Sequence, residues 1–306
     1  MESTIKIIRN SIHIFLKQYN FFTLTAILAI PFSTSILIST SLIPDFLSFH
    51  SHLQSLFDAA GFPPESEFYS ILTLKLSQTI SCSILVLPFS LSFLLIAKGI
   101  VIHSLCNRKP PPSLAGILNS ILQTQICNTL IIIAANATCF WALFIAFNTL
   151  QNLHIPSLFL TITGGIAYSI VVANALIICN LALILSGMEL SGGFISILKA
   201  CVLIKGRTAI ALSLSLPVNM ALAGIEFLFQ FRIIKAYSNS GMNKLTSTMV
   251  LEGLFIAYLY SILIIIDAII GCVFFKSCKI AYEHNIVDQE AGRIIEEEED
   301  VALVKC

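Results

Sequence analysis

Six long apolar stretches alternate with polar ones along this chain of 306 residues, at 21–42, 80–102, 126–150, 158–185, 209–231 and 249–275. Each is long enough to cross a hydrocarbon core as a helix, which takes about 20 residues. A helix is the form such a stretch adopts, because backbone N–H and C=O groups find no water in lipid and must bond within the segment. The pattern predicts an all-α integral membrane protein with about six transmembrane helices in one domain, residues 21–281.

Before spans 1, 3 and 5 the pattern changes to that of an amphipathic helix. Within residues 1–20, Ile5, Ile8, Ile12, Phe15 and Leu16 recur on one face and Lys6, Arg9, His13 and Lys17 on another. Segment 113–124 follows Pro110-Pro111-Pro112 and groups Leu114, Ile117, Leu118, Ile121 and Leu122. Segment 191–205 sets Phe194, Ile197, Leu198, Cys201 and Val202 opposite Ser196 and Lys199. Helices with an apolar face and basic polar positions settle at headgroup level on an anionic leaflet. The chain is therefore expected to repeat one unit three times: a cytosolic interfacial helix, a span out and a span back. The candidate anionic-lipid contacts are Lys6, Arg9, Lys17, Lys199, Lys205 and Arg207.

Charge sets the expected orientation. Most Lys and Arg, including Lys98, Arg108, Lys109, Lys276, Lys279 and Arg293, fall on the side that carries both termini, which predicts that both are cytosolic. The loop at 43–79 agrees, since its charges are Asp45, Asp58, Glu65, Glu67 and a lone Lys75; Arg232, Lys235 and Lys244 on the same side run against the rule. Residues 282–306 carry Glu296-Glu297-Glu298-Glu299-Asp300, a self-repelling block predicted to be a disordered cytosolic tail open to protein partners.

Composition narrows the class further. Hydrophobic residues make up 57% and charged residues 11%, with mean hydropathy +0.91, too apolar for a soluble domain to bury. The net charge of zero, with cations in twos and threes at span edges, leaves no basic face for nucleic acid. The nine cysteines lie in spans or on the cytosolic side, a distribution that argues for reduced thiols over a disulfide framework. Cys106, Cys201, Cys272 and Cys278 near the interface are either acylation sites or idle thiols, and Cys306 does not form a prenylation box.

One stretch carries a resemblance. Ser186-Gly187-Met188-Glu189-Leu190, Gly192-Gly193, Leu198-Lys199-Ala200 and Leu203-Ile204-Lys205-Gly206-Arg207 resemble the cytosolic segment of a plant family of uncharacterised multi-pass membrane proteins. The chain departs from that pattern with Cys201, where Ser is common. The layout is more weakly similar to bacterial membrane domains attached to glycerophosphodiesterases, without their catalytic part. The resemblance implies fold and a plant source, and carries no activity.

Acids within spans are costly, about 2.5–3.5 kcal/mol for Asp at a helix centre, so each needs a reason. Asp267 lies nine residues before Lys276, about 13 Å from the membrane edge. It is expected either to hydrogen-bond a neighbouring Ser, Thr or Asn or to serve translocation; Asn128, Asn136, Asn174, Asn180 and Asn219 read either as polar groups facing it or as hydrogen-bonding groups that join helices. Glu226 and Glu252, toward the outer ends of spans 5 and 6, read either as a paired cation or proton site or as structural acids. In the structural case Glu226 meets Arg232 or Lys235 and Glu252 reaches the interface. Pro88 and Pro217 interrupt spans 2 and 5 at matching places, a transporter-like feature. His50 and His52 have no metal-ligand spacing, and no catalytic motif, metal site or cofactor site is predicted.

These observations lead to the expectation of a non-enzymatic component of membrane organisation, trafficking or regulation in the endoplasmic reticulum, another endomembrane or the plasma membrane. A transporter or channel using Asp267, Glu226 and Glu252 is the alternative, and a lipid-handling membrane enzyme the third.

Overall fold

The computed structural model describes residues 2–41, 55, 84–106, 113–151, 157–235 and 247–304. His50, His52, most of the loop at 43–79, the triple proline and Lys244 lie outside the described residues. What is described is almost entirely helical. The helices are α1 (Glu2–Lys17), α2 (Tyr19–Ser41), α3 (Ile84–Leu105), α4 (Leu114–Gln151), α5 (Ser157–Glu189), α6 (Phe194–Ile204), α7 (Thr208–Ile234) and α8 (Ser247–Val304). Among them α2, α3, α4, α5, α7 and α8 are long and apolar enough to cross a membrane.

Helix α8 is the hub of the bundle and packs against α1, α2, α3, α5, α6 and α7. Its span is apolar on every side, with Ile256, Ala257, Ile264, Ile265, Ala268 and Cys272 all buried. Helix α2 offers it a stripe of small and aromatic residues, Phe22, Ala26, Ala29 and Ser33, at the spacing of one helix face. The small residues allow close approach, and Ser33 and Ser261 share a hydrogen bond of 2.7 Å where the two helices meet. In lipid such packing and bonding replace the hydrophobic effect as the force between helices.

By contrast, α4 and the first half of α5 stand at the edge of the bundle. Leu130, Ile133 and Trp141 of α4 and Ile162, Ile166 and Ile170 of α5 point outward. A continuous apolar surface of this kind belongs against hydrocarbon.

The segments expected to be interfacial helices differ from one another. Helix α1 has three faces: Thr4, Ile7, Ser11 and Phe15 are buried on the bundle, Ile5, Ile12 and Leu16 are exposed, and Lys6, Arg9, His13 and Lys17 are exposed on a third side. Thr4 bonds Ser213 of α7 at 3.1 Å. In α6 the buried positions are Ser196, Ile197, Ala200 and Ile204, while Phe194, Ile195, Leu198 and Val202 face out. Ser196, expected on the polar side, is thus inside, where its hydroxyl donates to the Ser191 carbonyl. Segment 113–124 is not a separate helix. Ile117, Ile121, Thr124 and Asn128 form one buried stripe across the expected break, so α4 runs through without interruption. At the other end, α8 is helical to Val304 and includes the acidic run at 296–300.

The chain enters α6 through Gly192 and Gly193. A Cβ on Gly192 would collide with the end of the Gln123 side chain and crowd the Ser120 carbonyl. Gly193, at φ 76° and ψ −148°, occupies backbone space that L side chains avoid, and its N–H donates to Thr124 Oγ1 at 3.0 Å. The glycines of the motif singled out in the sequence thus fasten the α5–α6 turn onto α4. Gly193→Ala is expected to lower stability by about 1–3 kcal/mol, read as a lower melting temperature in detergent, while Gly165→Ala, at a helical position with open space around it, leaves the melting temperature unchanged.

Candidate functional site

Three spans bring polar side chains to one level within the apolar bundle. Lys98 of α3 donates from Nζ to Oδ1 of Asn180 on α5 at 2.9 Å. The Asn180 amide donates in turn from Nδ2 to Oδ2 of Asp267 on α8 at 3.0 Å. Asn180 therefore works in both directions at once, its acceptor on the cation and its donor on the anion. Lys98 lies seven residues before the end of α3, about 10 Å along the helix, and Asp267 sits at comparable depth in α8. The charges balance, and each meets an amide dipole instead of bare hydrocarbon.

This chain of hydrogen bonds borders open space. A cleft of about 410 Å³ lies between α5 and α7 with α3 and α4 behind it, lined by Lys98, Gln125, Asn128, Asn180, Ser215 and Asp267 among others. Its size falls in the range of small-molecule sites, about 300–1,000 Å³. Asn128 is almost fully buried and gives its amide N–H to the Cys179 carbonyl at 2.9 Å. Its carbonyl oxygen has no hydrogen-bond partner among the described residues, although it is buried. Asn219, also on the cleft, donates to Ser215 Oγ at 2.8 Å. A smaller cavity of about 60 Å³ is lined by Asn180, Ser215 and Asp267 as well, together with Gly271 and Phe274. That volume exceeds what one water needs, so Asp267 borders two spaces large enough for polar molecules.

The other acids have partners of their own. Glu226 accepts a hydrogen bond from the Tyr260 hydroxyl at 2.9 Å. Glu252 pairs with Arg232 at 3.2 Å, an exposed contact at the far ends of α7 and α8. The two glutamates are thus held separately, and Arg232 goes to Glu252 where Glu226 was the expected partner. Of the candidate lipid contacts, Lys6, Arg9, Lys17, Lys199 and Lys205 are exposed, whereas Arg207 is partly buried. Lys199 also bonds Glu189 at 3.1 Å, and Lys279 reaches the same carboxylate at 3.3 Å, which ties the end of α5 to α6 and α8. Asn136 accepts from the Tyr168 hydroxyl at 2.8 Å on the outer surface of the α4–α5 pair, and Asn174 donates to the carbonyl of Ile170 on its own helix.

Sequence reasoning placed Lys98 among the flanking cations and so passed over it. The available signal was its position four residues inside an apolar stretch, opposite the only deep acid of the last span. Asn128 was singled out as one of five asparagines, but its unpaired oxygen depends on packing and has no sequence signature.

A family model described as Domain of unknown function (DUF8558) matches residues 112–293, more than half of the chain, and the chain belongs to that family. The match takes in Asn128, Asn180 and Asp267 and leaves Lys98 outside it. No curated protein and no solved structure matches the chain.

Removing Asn180 strands both charges. Asn180→Leu is expected to lower stability by about 3–5 kcal/mol, the cost of breaking a buried ionic arrangement. Asn136→Leu, which removes an outward-facing bond, costs about 0.6 kcal/mol. Comparable losses in detergent melting for the two variants would contradict this placement of Asn180.

Proposed function

We propose that this member of the DUF8558 family recognises a polar ligand inside the membrane, at the cleft floored by Lys98, Asn180 and Asp267, and belongs with transport proteins instead of enzymes. The observation that carries the reading is that the costliest polar groups of the bundle line open space. Groups serving only to join helices gain most when they are sealed between them. Here Lys98 has three N–H donors and one described bond, to Asn180. Asp267 has four lone-pair sites and one described bond. The unused capacity of both faces a volume that fits a small molecule. Intramembrane charges in such a setting mark substrate and proton paths.

A second reading concerns the surface. The three-faced α1 combines a stripe docked on the bundle, an exposed apolar edge at Ile5, Ile12 and Leu16, and a basic edge at Lys6, Arg9 and Lys17. This is the arrangement of a helix lying in the interface, and α6 adds the outward Phe194, Ile195, Leu198 and Val202. It supports a role in organising anionic lipid on the cytosolic leaflet of an endomembrane or the plasma membrane, with both termini cytosolic and the acidic run at 296–300 available to protein partners.

The first reading is tested by ligand-induced stabilisation with three probes: glycine, O-phosphoethanolamine and inorganic phosphate. Binding at 100 times Kd adds about 2.7 kcal/mol to stability, so at least one probe raises the melting temperature of the wild type by several degrees. Lys98→Met and Asp267→Asn lose that rise, each measured against its own unliganded melting point. No rise with any probe, or an equal rise in both variants, overturns the reading. For the surface, hydrogen exchange of α1 is expected to be slower in phosphatidylserine-rich than in phosphatidylcholine nanodiscs. Joint replacement of Lys6, Arg9 and Lys17 by Gln abolishes the difference, and its persistence would count against the basic edge.

A further inference from the structure

The polar cleft continues into an apolar groove. Ala173 of α5 and Leu212 of α7 line both the cleft and a second space of about 530 Å³, walled by Ile162, Gly165, Ile166 and Ile170. The groove climbs α5 away from Glu189, hence away from the face of the bundle that carries α6. The lining of the cleft includes Leu176, Leu212 and Leu216, all exposed on the outside of the bundle, so the opening faces hydrocarbon.

We propose that cleft and groove are two halves of one site for a membrane phospholipid with a zwitterionic headgroup that ends in a primary ammonium. This rests on the reading of the cleft as a polar-ligand site and names its ligand. The lipid phosphate meets Lys98, the ammonium lies toward Asp267, and an acyl chain follows α5 past Ala173 to Gly165.

Three features select this class. The charges at the floor are one cation and one anion held apart by an amide. A purely anionic headgroup would face Asp267 and a purely cationic one Lys98, whereas a zwitterion satisfies both. Asp267 keeps unused acceptor sites beside the cleft; a primary ammonium supplies N–H groups to them and a trimethylammonium supplies none. Finally, the order of polarity matches a lipid, since a charged headgroup gives way to apolar chains as the polar cleft gives way to the apolar groove. A lipid of the leaflet on the α6 side enters by withdrawing its headgroup about 10 Å, the depth of Lys98 along α3. Lateral entry past Leu176 and Leu216 keeps its chain in an apolar setting throughout.

Gly165 offers a variant remote from the charges. A Cβ there meets nothing within 4 Å, so a larger side chain fills the groove without disturbing the helix. The test uses the full chain in nanodiscs of equal phosphatidylethanolamine, phosphatidylcholine and phosphatidylglycerol, followed by release into detergent and mass spectrometry of retained lipid. The wild type is expected to retain phosphatidylethanolamine over phosphatidylcholine, with phosphatidylglycerol least. Gly165→Phe reduces retention about tenfold (1.4 kcal/mol) while its melting temperature still rises with O-phosphoethanolamine, and Gly165→Leu serves where Phe prevents folding. Retention unaffected by both Gly165 variants, or no preference among the three lipids, overturns the lipid assignment. A rise with O-phosphoethanolamine without lipid retention identifies a free solute as the ligand, which overturns the lipid while keeping the polar cleft. Absence of both responses removes the cleft reading as well.

Discussion

A charge within a membrane span has to be matched by protein, because hydrocarbon offers nothing to solvate it. In this chain that demand is met across three helices: Asn180 of α5 bonds Lys98 of α3 on one side and Asp267 of α8 on the other. The rest of the bundle is arranged so that these three helices can meet. Helix α8 sits at the centre and reaches α3 and α5 as well as α2 and α7. The small residues of α2 let it pack closely on one side of α8, and the turn at Gly192 and Gly193 fixes the end of α5 against α4. Moving any of the three helices by one turn, 5.4 Å, would leave a charge without its amide.

Other polar groups in the spans are settled more simply. Ser33 and Ser261 bond one another between α2 and α8, and Tyr260 serves Glu226. Arg232 and Glu252 meet where α7 ends and α8 begins, an exposed pair worth little. Each of these contacts joins two elements and accounts for itself as packing. The Lys98, Asn180 and Asp267 chain differs because it joins three elements and because unused donors and acceptors remain on the cleft side. Stability alone does not call for that arrangement, since apolar residues of similar volume pack at least as well as a buried ionic set.

Much of the architecture was legible in the sequence. The six spans follow from apolar length, and Asp267 stood out because no Lys or Arg lies within reach along its own helix. Asn180 was among five candidate partners, but choosing it required the rotation of α5, which periodicity does not determine in a helix that is apolar all round. Lys98 was harder still. A cation near the end of a span ordinarily extends its stem toward the headgroups, and only the tertiary position of Asn180 turns it inward. Ser196 was misassigned for a similar reason: the buried side of α6 is set by what it packs on, and its most apolar face is turned outward. The break expected after residue 124 rested on a change of pattern, yet no residue there interrupts a helix, and Thr124 and Asn128 continue the buried stripe. The groove at Gly165 has no sequence signature, because it is a space between helices.

The central claim is that Lys98 and Asp267 act as one unit through Asn180. A double-mutant cycle on melting stability, using Lys98→Met, Asp267→Leu and the two together, measures this directly. A coupling of about 0.5–3 kcal/mol is expected, with the double variant more stable than the sum of the single losses allows. Strict additivity would show that the two charges are independent and would contradict the account.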